Sequence, residues 1–115
     1  MNKHFIKYTD LEVIKIYNEV LNKQRVSFPK YFWSSPYKNR YAILCTKHLI
    51  ENILKWDKET VKNNIRLSIF IKNKLNGMIF TVYKNSVFDA INEAYPNEFK
   101  LHELIVCDKK TYNNF

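Results

Sequence analysis

One glycine, Gly77, stands among 115 residues, and that scarcity removes more functions than any other feature of the chain. A phosphate-cradling loop, a dinucleotide fingerprint and a nucleophile elbow each need several glycines at fixed positions, where the backbone turns sharply or approaches a ligand closely. None of them can be built from one. The length suits a single domain over residues 1–115. Eight Phe, eight Tyr and two Trp supply a core, and a 26% charged fraction is ordinary, so disorder is not expected.

The charge is arranged in blocks. Between Glu19 and Glu51 there is no acid, while Lys23, Arg25, Lys30, Lys38, Arg40 and Lys47 are all basic. Between Glu59 and Asp89 the pattern repeats with Lys62, Arg66, Lys72, Lys74 and Lys84. Beyond residue 85 the sign reverses, with Asp89, Glu93, Glu98, Glu103 and Asp108 outnumbering Lys100, Lys109 and Lys110. A net charge of +8 distributed this way suits a surface facing a polyanion. Heavy use of Lys, Asn and Ile also points to an AT-rich coding sequence, which raises lysine content without any function.

Cys45 and Cys107 belong to no CxxC pair and read as free thiols in a reducing compartment. The pairs Cys45–His48 and His102–Cys107 are too sparse to predict a zinc site, and His4 adds nothing at metal-like spacing. No cofactor is expected. The N-terminus lacks an apolar signal region, and the apolar runs of four or five residues fall far short of the roughly 20 that span a bilayer. A cytoplasmic protein without a membrane segment is the expectation.

Thr9-Asp10-Leu11-Glu12 is a capping box, and Leu11, Ile14, Tyr17, Val20 and Leu21 continue it as an amphipathic helix over 10–22. Pro29 and Pro36 interrupt the aromatic connection 23–35. Ser35-Pro36 is a helix start, followed by an apolar face through Tyr41, Leu44, Cys45, His48, Leu49, Ile53 and Trp56, which predicts a helix over about 37–55 with His48 half-buried on its edge. Asp57 caps a helix through Lys62, and Ser86 caps another that Pro96 stops. Residues 99–107 allow a short strand or an extended arm. The stretch 64–84 is ambiguous. Ile65 to Lys72 alternates, and Asn76-Gly77 followed by Met78 to Tyr83 has the form of a hairpin, the wing of a winged helix. The helical alternative runs 59–73, stops at Leu75-Asn76-Gly77 and resumes over 78–83.

Phe28-Pro29-Lys30-Tyr31-Phe32-Trp33, Leu75-Asn76-Gly77-Met78 and the run Asn85-Ser86-Val87-Phe88-Asp89-Ala90-Ile91-Asn92-Glu93-Ala94-Tyr95-Pro96 resemble a small uncharacterised domain family of Bacillus and Clostridium relatives. Its pattern reads FPxxFW, then GGML, SPYEAI and AYP. The resemblance covers about residues 12–104. The chain departs from it with one glycine where two are usual, with Val87 in place of proline, and with Leu101-His102 in place of Pro-Trp. The family implies no activity and no catalytic residue; it favours the helical reading of 59–83. Residues 85–94 are also loosely similar to the helical repeats beside homing-endonuclease modules.

The expected fold is therefore mainly α, a small helix-turn-helix-type domain, with the winged helix carrying a β-hairpin at about 64–84 as the alternative. The acids are isolated, the Cys45–His48 pair lacks an orienting partner, and Asp57-Lys58-Glu59 reads as a cap rather than a metal site, so no enzyme is expected. The functional expectation is double-stranded DNA binding by a basic face. Lys38, Arg40, Lys47, Lys62, Arg66, Lys72 and Lys74 would meet phosphates, Asn39, Asn63, Asn64 and Arg66 are residue types that read base edges, and on the hairpin reading Arg66, Lys72, Asn73 and Lys74 sit on a wing placed for a groove. A plasmid- or phage-encoded regulatory or accessory factor fits this description, and a homodimer or another protein is the further partner considered. The alternative function is a protein-interaction module, or an inhibitor of a host complex, docking through the aromatic segment 28–37.

Overall fold

Thr9 and Glu12 form the capping box that their spacing predicts. The Thr9 hydroxyl accepts from the Glu12 amide at 3.2 Å, and the Glu12 carboxylate accepts from the Thr9 amide at 2.8 Å. The first helix, α1 (Asp10–Leu21), follows directly. The computed structural model describes residues 5–104. Five further helices are α2 (Lys38–His48), α3 (Lys58–Asn64), α4 (Leu67–Lys72), α5 (Asn76–Tyr83) and α6 (Val87–Ala94). A π-helical turn, Leu49–Ile53, extends α2, and 3₁₀ turns occupy Phe32–Ser34 and Leu101–Glu103. The fold is mainly α, with no strand among the described residues. The arm or strand expected over 99–107 contains instead the 3₁₀ turn Leu101–Glu103, and residues 105–107 lie outside the described residues.

Helix α2 is the central element. It contacts α1, α5 and α6, and it buries Tyr41, Ala42, Cys45 and Thr46 among them. Ser35 prepares its start, since the Ser35 hydroxyl accepts from the Tyr37 amide at 3.1 Å and closes a turn before the helix begins at Lys38. The Tyr41 hydroxyl accepts from the Tyr8 amide at 3.0 Å and donates to the Ile6 carbonyl at 3.1 Å, which fastens the extended N-terminal segment over α2. His48 is half-buried as expected. The Asn52 amide donates to its Nδ1 at 3.1 Å, so its proton sits on Nε2, 2.9 Å from the Asn18 side-chain oxygen.

Burial holds His48 below the ordinary histidine value of 6.5. The unfolded chain therefore takes up the proton first, and stability declines as pH falls from 6.5 through the folded-state value. Denaturant melts of the wild type and His48→Gln between pH 7.5 and 5 are expected to show a smaller acid loss in the variant.

The hairpin at 64–84, and with it the winged helix, is overturned. Residues 67–72 and 76–83 are helical. A lone two-stranded ribbon is marginal and would have found no third strand to join. As helices, the same residues bury Phe70, Leu75, Met78 and Ile79 completely or nearly so in the core built around α2. The alternation of Ile65 to Lys72 is incidental, and it leaves Ile71 exposed.

Helix termination in this chain does not use its glycine. Among the described residues, seven adopt left-handed φ, namely Lys23, Tyr31, Lys55, Lys74, Lys84, Asn85 and Asn97, while Gly77 does not. Two of the lysines hold the position after a helix that glycine usually takes. At the end of α1, the Lys23 amide donates to the Val20 carbonyl and the Gln24 amide to that of Glu19, at 3.2 and 2.9 Å. At the end of α4, the Lys74 amide donates to the Ile71 carbonyl and the Leu75 amide to that of Phe70, at 3.1 and 2.8 Å. A left-handed residue with a Cβ costs about 1–2 kcal/mol.

Gly77 lies in the first turn of α5, where an added Cβ would sit 3.5 Å from Trp33 Cδ1, an ordinary contact. Gly77→Ala is therefore expected to stabilise the fold by about 0.5–1 kcal/mol through helix propensity and reduced chain entropy. A thermal melt checks this, and a fall in Tm would refute it.

Candidate nucleic-acid interface

The α4–α5 pair collects the clearest group of unpaired cations. Arg66 caps α4, Lys72 is its last residue, Lys74 sits in the turn and Lys84 follows α5. All four are exposed, and none has a carboxylate partner among the described residues. The sequence places no acid between Glu59 and Asp89 to supply one. Arg66 leans on the Asn64 carbonyl at 3.4 Å, which leaves its guanidinium facing solvent.

Other residues expected to touch DNA have partners within the protein. Lys62 lies 3.2 Å from Glu59 and 3.4 Å from Glu103, and these carboxylates hold its ammonium above the usual lysine range. Arg40 donates to the Tyr8 carbonyl at 2.9 Å and to the Asp10 carboxylate. The Asn39 amide donates to Glu93 at 2.9 Å. The first turn of α2 is thereby fastened to α1 and α6, and Lys38 stands half-buried on that turn. Lys47 is exposed but rests over the Tyr95 ring, 5.6 Å from its centroid.

Asn63, Asn64 and Asn73 each donate their side-chain amide back to a carbonyl four residues earlier, those of Glu59, Thr60 and Ile69, at 2.9, 2.9 and 2.8 Å. Such back-bonding takes one of the two amide hydrogens and holds the side chain against its own helix, so a bidentate contact with adenine would first have to break it. The Asn73 carbonyl also accepts from the Tyr17 hydroxyl at 2.9 Å, tying α1 to the end of α4. Of the eleven residues expected from the sequence, Arg66, Lys72 and Lys74 are exposed along α4 and its following turn and have no carboxylate partner among the described residues. Lys84 joins them, and the acid-free stretch running to Asp89 was the signal for it.

The aromatic segment 28–37 divides in two. Phe32 is buried and stacks on Tyr41 with centroids 4.5 Å apart, and Phe28 stacks on Phe32 at 5.2 Å. Tyr31 and Trp33, with Phe28 and Phe32 beside them, line a groove of about 560 Å³ whose lining also includes Lys74, Asn76, Gly77 and Thr81. Among the described residues, no carboxylate lines this groove. Asn76 and Thr81 carried no sequence signal, because their facing depends on the helical phase of a stretch that also alternates.

Cys45 is fully enclosed, and desolvation pushes its thiol far above the ordinary range. With both His48 nitrogens engaged by asparagines, the two cannot act as a dyad. Among the described residues, no three His, Cys, Asp or Glu side chains come together as a metal site. The second half of the sparse zinc pattern, Cys107, and likewise His4, lie outside the described residues. Among the described residues, no helix is long and apolar enough to cross a membrane.

Neither the curated proteins nor the solved structures contain a significant match to this chain. The profile of the family described as protein of unknown function (DUF4046) matches residues 13–100, and the chain belongs to that family.

Proposed function

We propose that the chain binds double-stranded DNA through the cationic edge formed by Arg66, Lys72, Lys74 and Lys84. The observation that carries this reading is that these four exposed side chains have no carboxylate partner among the described residues. An unpaired lysine or arginine can neutralise a phosphate and release the counterion condensed on the DNA there, a major source of affinity. Two of the four, Lys74 and Lys84, hold left-handed backbone positions that glycine would fill with less strain. Backbone strain of this kind gathers at functional sites in many proteins. Helix α6 is a poor reader by comparison, since Asp89 and Glu93 lie on it.

In this reading the protein is a cytoplasmic regulatory or accessory factor, plasmid- or phage-encoded, and acts as a homodimer so that two half-sites add their specificity. Titrating random-sequence duplex DNA across salt concentrations tests the DNA reading. Four phosphate contacts are expected to give a slope of about −3 to −4 in log affinity against log salt. Absence of binding at low salt, or binding indifferent to salt, would overturn it.

A further inference from the structure

We propose that the groove between the 26–34 segment and the α4–α5 turn seats an unpaired nucleobase. The protein then prefers nucleic acid that carries an unpaired nucleotide over a fully paired duplex. The inference rests on the nucleic-acid reading above and narrows its substrate class.

Three observations support it. The groove, at about 560 Å³, falls within the ~300–1,000 Å³ typical of small-ligand sites, and Phe28 and Trp33 give it aromatic walls. Asn76 and Thr81 are among its lining residues, and an amide and a hydroxyl are groups that satisfy the polar edge of a base. Charge then selects among flat apolar occupants. Among the described residues the lining has no carboxylate, and its one cation is Lys74, which has no carboxylate partner there either. A phosphate held by Lys74 therefore lies at the groove itself. A base leaving the stack there has an aromatic site within reach, and every base has a face suited to it. Tyr31 on one wall and Lys74 on the other both hold left-handed backbone, so the opening is framed by constrained turns.

The test measures fluorescence anisotropy of labelled 12-nucleotide probes at low salt: oligothymidine, an abasic strand of equal length, and a random duplex. A Thr81→Tyr variant, altered at an exposed position, fills the groove. A Trp56→Phe variant leaves Trp33 as the only indole reporter. Oligothymidine is expected to bind on the order of tenfold more tightly than the abasic strand, with quenching of Trp33, and Thr81→Tyr is expected to erase that ratio. The anisotropy ratio and the Thr81→Tyr arm decide the matter should Trp56→Phe fail to fold.

Equal, salt-sensitive binding of all three probes would overturn the groove proposal and leave the cationic-edge reading standing. No binding of any probe would overturn both. A Trp33 response to polyglutamate, with none to the oligonucleotides, would likewise overturn both and identify the groove as a dock for an acidic protein segment.

Discussion

Replacing Arg66 and Lys74 together by alanine is expected to lower duplex-DNA affinity on the order of tenfold to hundredfold at low salt. Each lost phosphate contact forfeits the release of about one counterion, so the salt slope should fall by about 2 as well. Both side chains are exposed and lack ion-pair partners among the described residues, so the double variant should fold normally. Lys74→Gly sharpens the comparison. It removes the same charge but relieves a left-handed backbone at φ 70°, and is expected to keep or raise stability by up to about 1 kcal/mol. A variant that melts no earlier yet binds more weakly would separate the cation's contribution to binding from any contribution to folding. Unchanged affinity and slope in the double variant would remove the cationic edge from the interface.

Phe32→Ala is expected to destabilise the fold by about 3–5 kcal/mol. Phe32 is 3% exposed, and its ring stands among Tyr8, Phe28, Trp33 and Tyr41 at centroid distances of 4.5 to 5.6 Å. Truncation would leave a cavity where the N-terminal segment, the aromatic turn and α2 converge. A domain of this size has about 5–15 kcal/mol in total, so a large share would be lost. Urea unfolding of the variant measures the effect. A cost below about 1 kcal/mol would mean that the aromatic cluster contributes little to the fold and that segment 28–37 is free to serve as a surface. Trp33, half-buried at the groove, should tolerate alanine better than Phe32 does.

The helix boundaries set by local chemistry were readable from the sequence. Thr9, Asp57 and Ser86 each cap the helix that their position predicts, because a short polar side chain satisfies a free amide without any tertiary context. The stretch 64–84 was not readable from alternation alone. Its apolar residues fit a strand period as well as a helical one, and the choice depends on what lies opposite, here the buried face of α2. The cationic blocks were visible as gaps between acids, but pairing was not. Lys62 meets Glu103 across 41 positions, and Asn39 meets Glu93 across 54, contacts that no local pattern announces. The aromatic segment posed the same difficulty on a smaller scale. Tyr31, Phe32 and Trp33 are adjacent in sequence, yet the 3₁₀ turn that begins at Phe32 buries that ring while Tyr31 stays exposed and Trp33 half-buried.

The left-handed turns bear on how this protein can change. Lys23, Lys55, Lys74 and Lys84, with Asn85 and Asn97, all occupy backbone that glycine would relax. Their codons begin with two adenines, and glycine's begin with two guanines, so no single base change connects them. The intermediates from lysine are glutamate or arginine, and from asparagine they are aspartate or serine. At Lys74 the glutamate step would put a carboxylate on the edge of the groove, reversing the charge there before any strain is released. The arginine step keeps the charge but not the freedom of a residue without a Cβ. Relief of the backbone therefore lies two mutations away at each of these sites, across an intermediate that gains nothing from it.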